Sequence, residues 1–115
     1  MKKKLIALFM LVIMAISTSV PAYAANTITY IHGNESNRCY AETTQTSDEA
    51  TIGAKITWQL SGEDTIVNGS LVSSTGSSAK SRSKWLWGKE GKSFGYYYVN
   101  GVQRHKSTAW MEFDF

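Results

Sequence analysis

From residue 50 to residue 60 the chain alternates without a break. Ala50, Ile52, Ala54, Ile56, Trp58 and Leu60 are separated by Thr51, Gly53, Lys55, Thr57 and Gln59. Successive side chains of a strand point to opposite faces, so this spacing puts every apolar residue on one face; no helix would align them. Such a strand has to bury its apolar face against a second layer.

The same period recurs toward the C-terminus, where Ala109, Met111, Phe113 and Phe115 alternate with Trp110, Glu112 and Asp114. Over residues 93–99, Phe94, Tyr96 and Tyr98 fall on one side and Tyr97 and Val99 on the other. Both faces there are apolar, which predicts a central strand. A short strand over 83–87 would place Trp85 and Trp87 together with Leu86 opposite. Segments 27–31 and 39–46 complete a set of about seven strands, and no amphipathic helix is visible.

Turn chemistry divides these runs. Ser61-Gly62-Glu63-Asp64 and Gly88-Lys89-Glu90-Gly91 are polar turns, and Asn100-Gly101 is a strong hairpin signal. Asn68-Gly69 reads as a second tight hairpin or as a bulge within one strand, and the short flanking runs favour the hairpin. The serine-rich stretch 73–83 is expected to be a mobile loop. Regular turns at this length predict an all-β fold: a small antiparallel β-sandwich, with a small barrel as the alternative. Trp58, Phe94 and Phe113 are candidate core residues.

Residues 1–24 read as an export signal rather than as part of the fold. Lys2, Lys3 and Lys4 precede an apolar run over 5–16, followed by Pro21 and the small-x-small triplet Ala22-Tyr23-Ala24. This is the order of a cleaved secretory leader, and the run is short of the roughly 20 residues a membrane span needs. The expected product is a single secreted domain over 25–115, with no transmembrane segment after processing. Lysine-rich export with little cysteine suits a bacterial protein. The sequons at Asn34 and Asn68 are then chance matches.

Removing the leader removes the whole net charge of +3, because the remaining basic and acidic residues balance. A basic pI is therefore no argument for nucleic acid. The balance is uneven along the chain. Residues 25–79 carry Arg38 and Lys55 against six acids, whereas 80–106 carry seven basic groups against Glu90 alone. Charges so divided either face each other in the fold or present a basic patch to a partner.

Cys39 is the one cysteine, so no internal disulfide staples the domain. It is buried and inert, free and reactive, or joined to a second chain in a disulfide-linked homodimer. Catalytic and metal signatures are missing. His32 and His105 sit in no local motif, Asp48-Glu49 and Glu63-Asp64 lack calcium-loop spacing, and too few Cys and His residues exist for structural zinc. No cofactor is implied, and a non-enzymatic role is expected.

What remains is the aromatic and basic segment 80–106 and the C-terminal strand. Exposed Trp and Tyr stack on sugars or anchor interfaces, where Arg is also favoured. The candidate binding residues are Lys84, Trp85, Trp87, Lys89, Lys92, Tyr97, Arg104 and Trp110. The overall layout resembles the lactococcin-972-like bacteriocins, which are short secreted β-sandwiches. The shared features are a lysine-led leader ending in Ala-x-Ala, a short mature chain rich in Ser and Gly, and a closing aromatic strand from Trp110 to Phe115. The single cysteine and the acidic residues of that strand depart from the pattern. The resemblance implies interference with cell-wall synthesis in competitors and transfers no functional residue. Two functions are therefore expected from the sequence: a secreted antagonist or cell-surface interaction protein, or a stand-alone carbohydrate- or cell-wall-binding module. Its partner would be a bacterial surface glycan, an anionic wall polymer or a protein.

Overall fold

The computed structural model describes residues 17–19 and 26–114. Most of the expected leader, and Phe115, lie outside the described residues. The elements in chain order are β1 (Ser17–Ser19), β2 (Thr27–Glu35), β3 (Arg38–Gln45), β4 (Ile52–Leu60), β5 (Val67–Asn68), β6 (Val72–Ser74), β7 (Ser78–Arg82), β8 (Glu90–Val99) and β9 (Val102–Glu112). They form two antiparallel sheets. One has the order β1-β2-β3-β7, the other β5-β4-β8-β9, with β6 also on β4. The sheets are not closed into a barrel. Ser17–Ser19, inside the segment expected to be removed, pair with Thr27, Ile28 and Thr29 on the edge of β2.

The alternation of β4 becomes its burial. Ile52, Ala54 and Ile56 are fully enclosed and Trp58 nearly so, while Lys55 and Gln59 face outward. Strand β8 is central, between β4 and β9, as its two apolar sides predicted. The β8–β9 hairpin turns at Asn100-Gly101 with φ of 52° and 79°. Two successive positive φ values match the right-handed twist of the flanking strands, which explains the Asn-Gly pair. The β2–β3 hairpin uses Ser36-Asn37 with φ of 49° and 63°. Ser-Asn carries no strong turn signal, so this hairpin was not legible in the sequence.

Asn68-Gly69 makes a bulge and not the hairpin that was favoured. Thr57 faces Asn68 and Ala54 faces Val72, so the β5–β6 segment holds one residue more than the stretch of β4 it pairs with. The Gly69 N–H reaches the Ile56 carbonyl at 2.8 Å. A Cβ on Gly69 would stand 2.7 Å from that carbonyl oxygen, so the close approach requires glycine.

The serine-rich stretch is ordered, contrary to the mobile loop expected. β6 ends in one sheet and β7 begins in the other, and serine hydroxyls satisfy the backbone where the chain crosses. Ser81 Oγ accepts from the Ile56 N–H at 3.1 Å and donates to the Ser70 carbonyl at 2.6 Å. Ser83 Oγ accepts from the Cys39 N–H at 3.0 Å and donates to the Lys84 carbonyl at 2.8 Å. A buried backbone group left without a partner would be costly, and a small hydroxyl meets that need where no ladder can.

Polar bridges also join the sheets. Thr43 Oγ1 donates to the Gly53 carbonyl at 2.7 Å, and Tyr97 Oη donates to the Ile31 carbonyl at 3.1 Å. Ile28, Tyr30, Cys39, Ala41 and Ala79 of one sheet meet the inner residues of the other.

Candidate functional site

Residues 83–89 leave β7 as an extended loop, not as the strand predicted over 83–87. The strand-like alternation of its side chains nevertheless survives. Leu86 is buried at 2% exposure, while Trp85 and Trp87 are 53% and 52% exposed. The backbone is tied on two sides. The Leu86 N–H donates to the Asn37 carbonyl at 2.9 Å, in the β2–β3 turn. Beyond it, the Phe113 N–H donates to the Lys89 carbonyl at 2.9 Å. Burying Leu86 contributes roughly 1.5–3 kcal/mol, which holds the two indoles out of the core.

The indoles lie against each other, with centroids 6.1 Å apart and planes 21° from parallel. The Arg38 guanidinium sits 4.8 Å from the Trp85 ring centre while its Nε donates to the Ser83 carbonyl at 2.6 Å. This fixes a cation beside a flat apolar surface. Lys84 and Lys89 flank the pair and are exposed.

A second aromatic surface covers the outside of the β4-β8-β9 sheet. Phe94, Tyr96 and Tyr98 run down β8, each half-buried. Across the ladder Lys92 faces Trp110, Tyr96 faces Lys106 on one side and Lys55 on the other, and Tyr98 faces Gln103. The Lys106 ammonium lies 5.6 Å from the Phe94 ring centre and 5.4 Å from that of Tyr96. Trp110 is 47% exposed, on the outer face as its register predicted, and its Nε1 is 3.5 Å from Glu112 Oε1.

Three expectations need correction. Tyr97, expected among the binding residues, is fully buried. Its ring lies over Gly95, where a Cβ would collide with the Tyr97 hydroxyl. Phe94, a core candidate, is on the outer face. The side of β8 bearing Gly91, Ser93, Gly95 and Tyr97 has room to approach the other sheet; the side with three consecutive rings does not.

The basic segment 80–106 is also not one patch. Lys80 and Arg82 lie on the other sheet and pair with Glu35 at 2.5 and 3.9 Å. Arg104 is exposed at the β8–β9 register shift, where its charge opposes the burial that raises the Tyr30 phenol pKa. Lys84, Trp85, Trp87 and Lys89 share the loop, while Lys92 and Trp110 share a rung of the sheet.

Cys39 is enclosed, and burial pushes its thiol up to about 11. Of the three states left open for Cys39, this geometry matches the buried, inert one; a disulfide to a second chain would require β3 to open.

Sequence reasoning missed a buried polar chain between the sheets. Ser93 Oγ, His32 Nε2, His32 Nδ1, Ser107 Oγ and Tyr97 Oη follow one another at 2.7 Å contacts. Tyr97 donates its hydrogen to the Ile31 carbonyl at 3.1 Å, so Ser107 donates to Tyr97, Nδ1–H donates to Ser107, and Ser93 donates to Nε2. The reverse order would trade that bond for a 3.5 Å contact between Ser93 and the Ala109 carbonyl. Burial lowers the His32 pKa to about 4. A serine beside a histidine has the parts of a nucleophile and its base. Here Ser93 and His32 are 0% and 1% exposed, so no substrate reaches them in this conformation. The signal was present in the sequence, since His32 is in phase with Ile28 and Tyr30.

Among the described residues, no group of three or more His, Cys, Asp or Glu side chains is placed to hold a metal ion. No described helix is long and apolar enough to cross a membrane. No protein-family model and no curated protein sequence matches the chain. Among solved structures the chain is similar to a superoxide reductase in its oxidized state, with 13% identity and a TM-score of 0.50. That match spans 74% of this chain and 86% of the reductase. At this identity the likeness is one of fold alone.

Proposed function

We propose that this protein is exported and acts by binding, not catalysis, and that its partner is an anionic glycan polymer of the bacterial envelope. The observation that carries this reading is the Trp85–Trp87 pair, held half-exposed by a buried Leu86 and a backbone tied on two sides. Two large apolar rings kept in water need a use, because the fold would gain by covering them. Their flat faces suit sugar rings. Phe94, Tyr96, Tyr98 and Trp110 form the second aromatic surface, over an open sheet, which suits a linear chain better than a compact protein epitope. Lys92, Lys106 and Lys55 lie among these rings and favour negative charge on the ligand.

Co-sedimentation with purified bacterial cell walls tests the reading. At low salt the protein is expected in the wall pellet. At ~0.5 M salt, where exposed charges are screened beyond a few ångströms, binding should weaken but persist through stacking. A protein that stays in the supernatant at both salts would overturn the proposal.

A further inference from the structure

The outer face of the sheet carries a groove away from the tryptophan loop. Lys55 and Thr57 of β4 line it with Tyr96 and Tyr98 of β8. Ile66, Asn68 and Gln103 form its rim. Lys92, level with Trp110, is six residues from Tyr98 along β8, or about 20 Å at strand rise. The groove therefore lies toward the other end of β8 from the Lys92–Trp110 rung, and no residue of the Trp85–Trp87 loop lines it.

Three features give it a ligand chemistry. Tyr96 and Tyr98 are two residues apart on one face of a strand and offer adjacent phenol rings as a floor. Lys55, Asn68 and Gln103 supply a cation and two amides, none engaged in a side-chain hydrogen bond or ion pair among the described residues. No carboxylate lines the groove. Thr57 adds an independent sign. It is 2% exposed, yet its hydroxyl has no hydrogen-bond partner. A fold rarely leaves such a group unpaired without another use for it.

We propose that this groove is a subsite for one acidic pyranose ring, a sugar unit bearing a carboxylate. The ring stacks on Tyr96 and Tyr98, its carboxylate meets Lys55, and its hydroxyls meet Asn68, Gln103 and, once the covering side chains part, Thr57. The proposal rests on the glycan-binding reading and deepens it: Tyr96, Tyr98 and Lys55 belong to the aromatic surface already described, and Thr57, Asn68 and Gln103 are added to it.

The test is an NMR titration of the protein with trigalacturonate, with maltotriose as the neutral probe. Trigalacturonate is expected to shift the amides of Lys55, Thr57, Asn68 and Tyr96, and maltotriose to bind about tenfold more weakly. Lys55→Gln should reduce that preference, Lys106 beside Tyr96 keeping part of it, and Thr57→Val should weaken trigalacturonate binding without loss of the fold. Equal binding of both probes, shifts confined to other residues, or no shift in a protein that still sediments with cell walls would each overturn the subsite. Shifts in the groove by a protein that fails to sediment would uphold the subsite and count against the wall polymer.

Discussion

Acidification should cost this fold about 3 kcal/mol through His32 alone. In the folded chain its imidazole sits between Ser93 and Ser107 at 1% exposure, with a pKa lowered to about 4 by burial from an ordinary value of 6.5. Below pH 6.5 the unfolded chain takes up a proton that the folded chain refuses until about pH 4. The unfolded state therefore binds more protons across that window, and stability falls as pH falls through it. A window of about 2.5 units at about 1.4 kcal/mol per unit gives the total. The contribution is complete above pH 6.5 and gone below about pH 4. Protonation also disturbs the hydrogen bonds, because both ring nitrogens would donate. Ser93 would have to turn its hydrogen to the Ala109 carbonyl, 3.5 Å away.

Urea denaturation followed by tryptophan fluorescence at pH 7, 5.5 and 4.5 reads the loss. His32→Gln, which cannot titrate, isolates it from the carboxylates. The wild type should lose about 2–3 kcal/mol more than the variant between pH 7 and pH 4.5. NMR titration of the wild-type imidazole gives the same answer if the variant fails to fold. A His32 pKa near 6.5 would refute the buried chain.

Three further outcomes follow from the packing. Gly95→Ala drives a methyl group into the Tyr97 and Ser107 hydroxyls and should cost at least about 2 kcal/mol in urea denaturation. Ser36→Gly relieves a serine held at φ 49° in the β2–β3 turn and should raise stability by about 0.5–1 kcal/mol in the same assay. The Cys39 thiol should ignore a disulfide reagent at pH 8 until urea is added, and a non-reducing gel should show only monomer, since the thiol is enclosed and its pKa is about 11.

The legible parts of this chain were those fixed by local chemistry. The period of two around Ile52 to Trp58 gave β4 and its inner face, Asn100-Gly101 gave the second long hairpin, and the phase of Met111 and Phe113 gave the outward position of Trp110. The parts decided by the partner sheet were harder to see. Ser81 and Ser83 look like loop residues until the sheet crossing supplies the backbone groups they satisfy. Tyr97 and Phe94 have equal claims on the core until Gly95 shows which side of β8 can approach β2. His32 was in phase with two core residues, but only the two sheets together bring Ser93 and Ser107 to its ring nitrogens. At the candidate site, Trp85, Trp87 and Leu86 kept their expected alternation although no strand forms there. The groove over Thr57 could not be read, because it depends on where the bulge at Gly69 sets Ile66 and Asn68.

The central claim is that Trp85 and Trp87 are displayed for binding. It is tested most directly by cell-wall co-sedimentation of the Trp85→Ala, Trp87→Ala double variant beside the wild type at ~0.5 M salt, where stacking outlasts exposed charge. The variant should keep the wild-type near-ultraviolet dichroism of its buried Trp58 and Tyr97, and should leave the pellet. A folded variant that sediments as well as the wild type would contradict the claim.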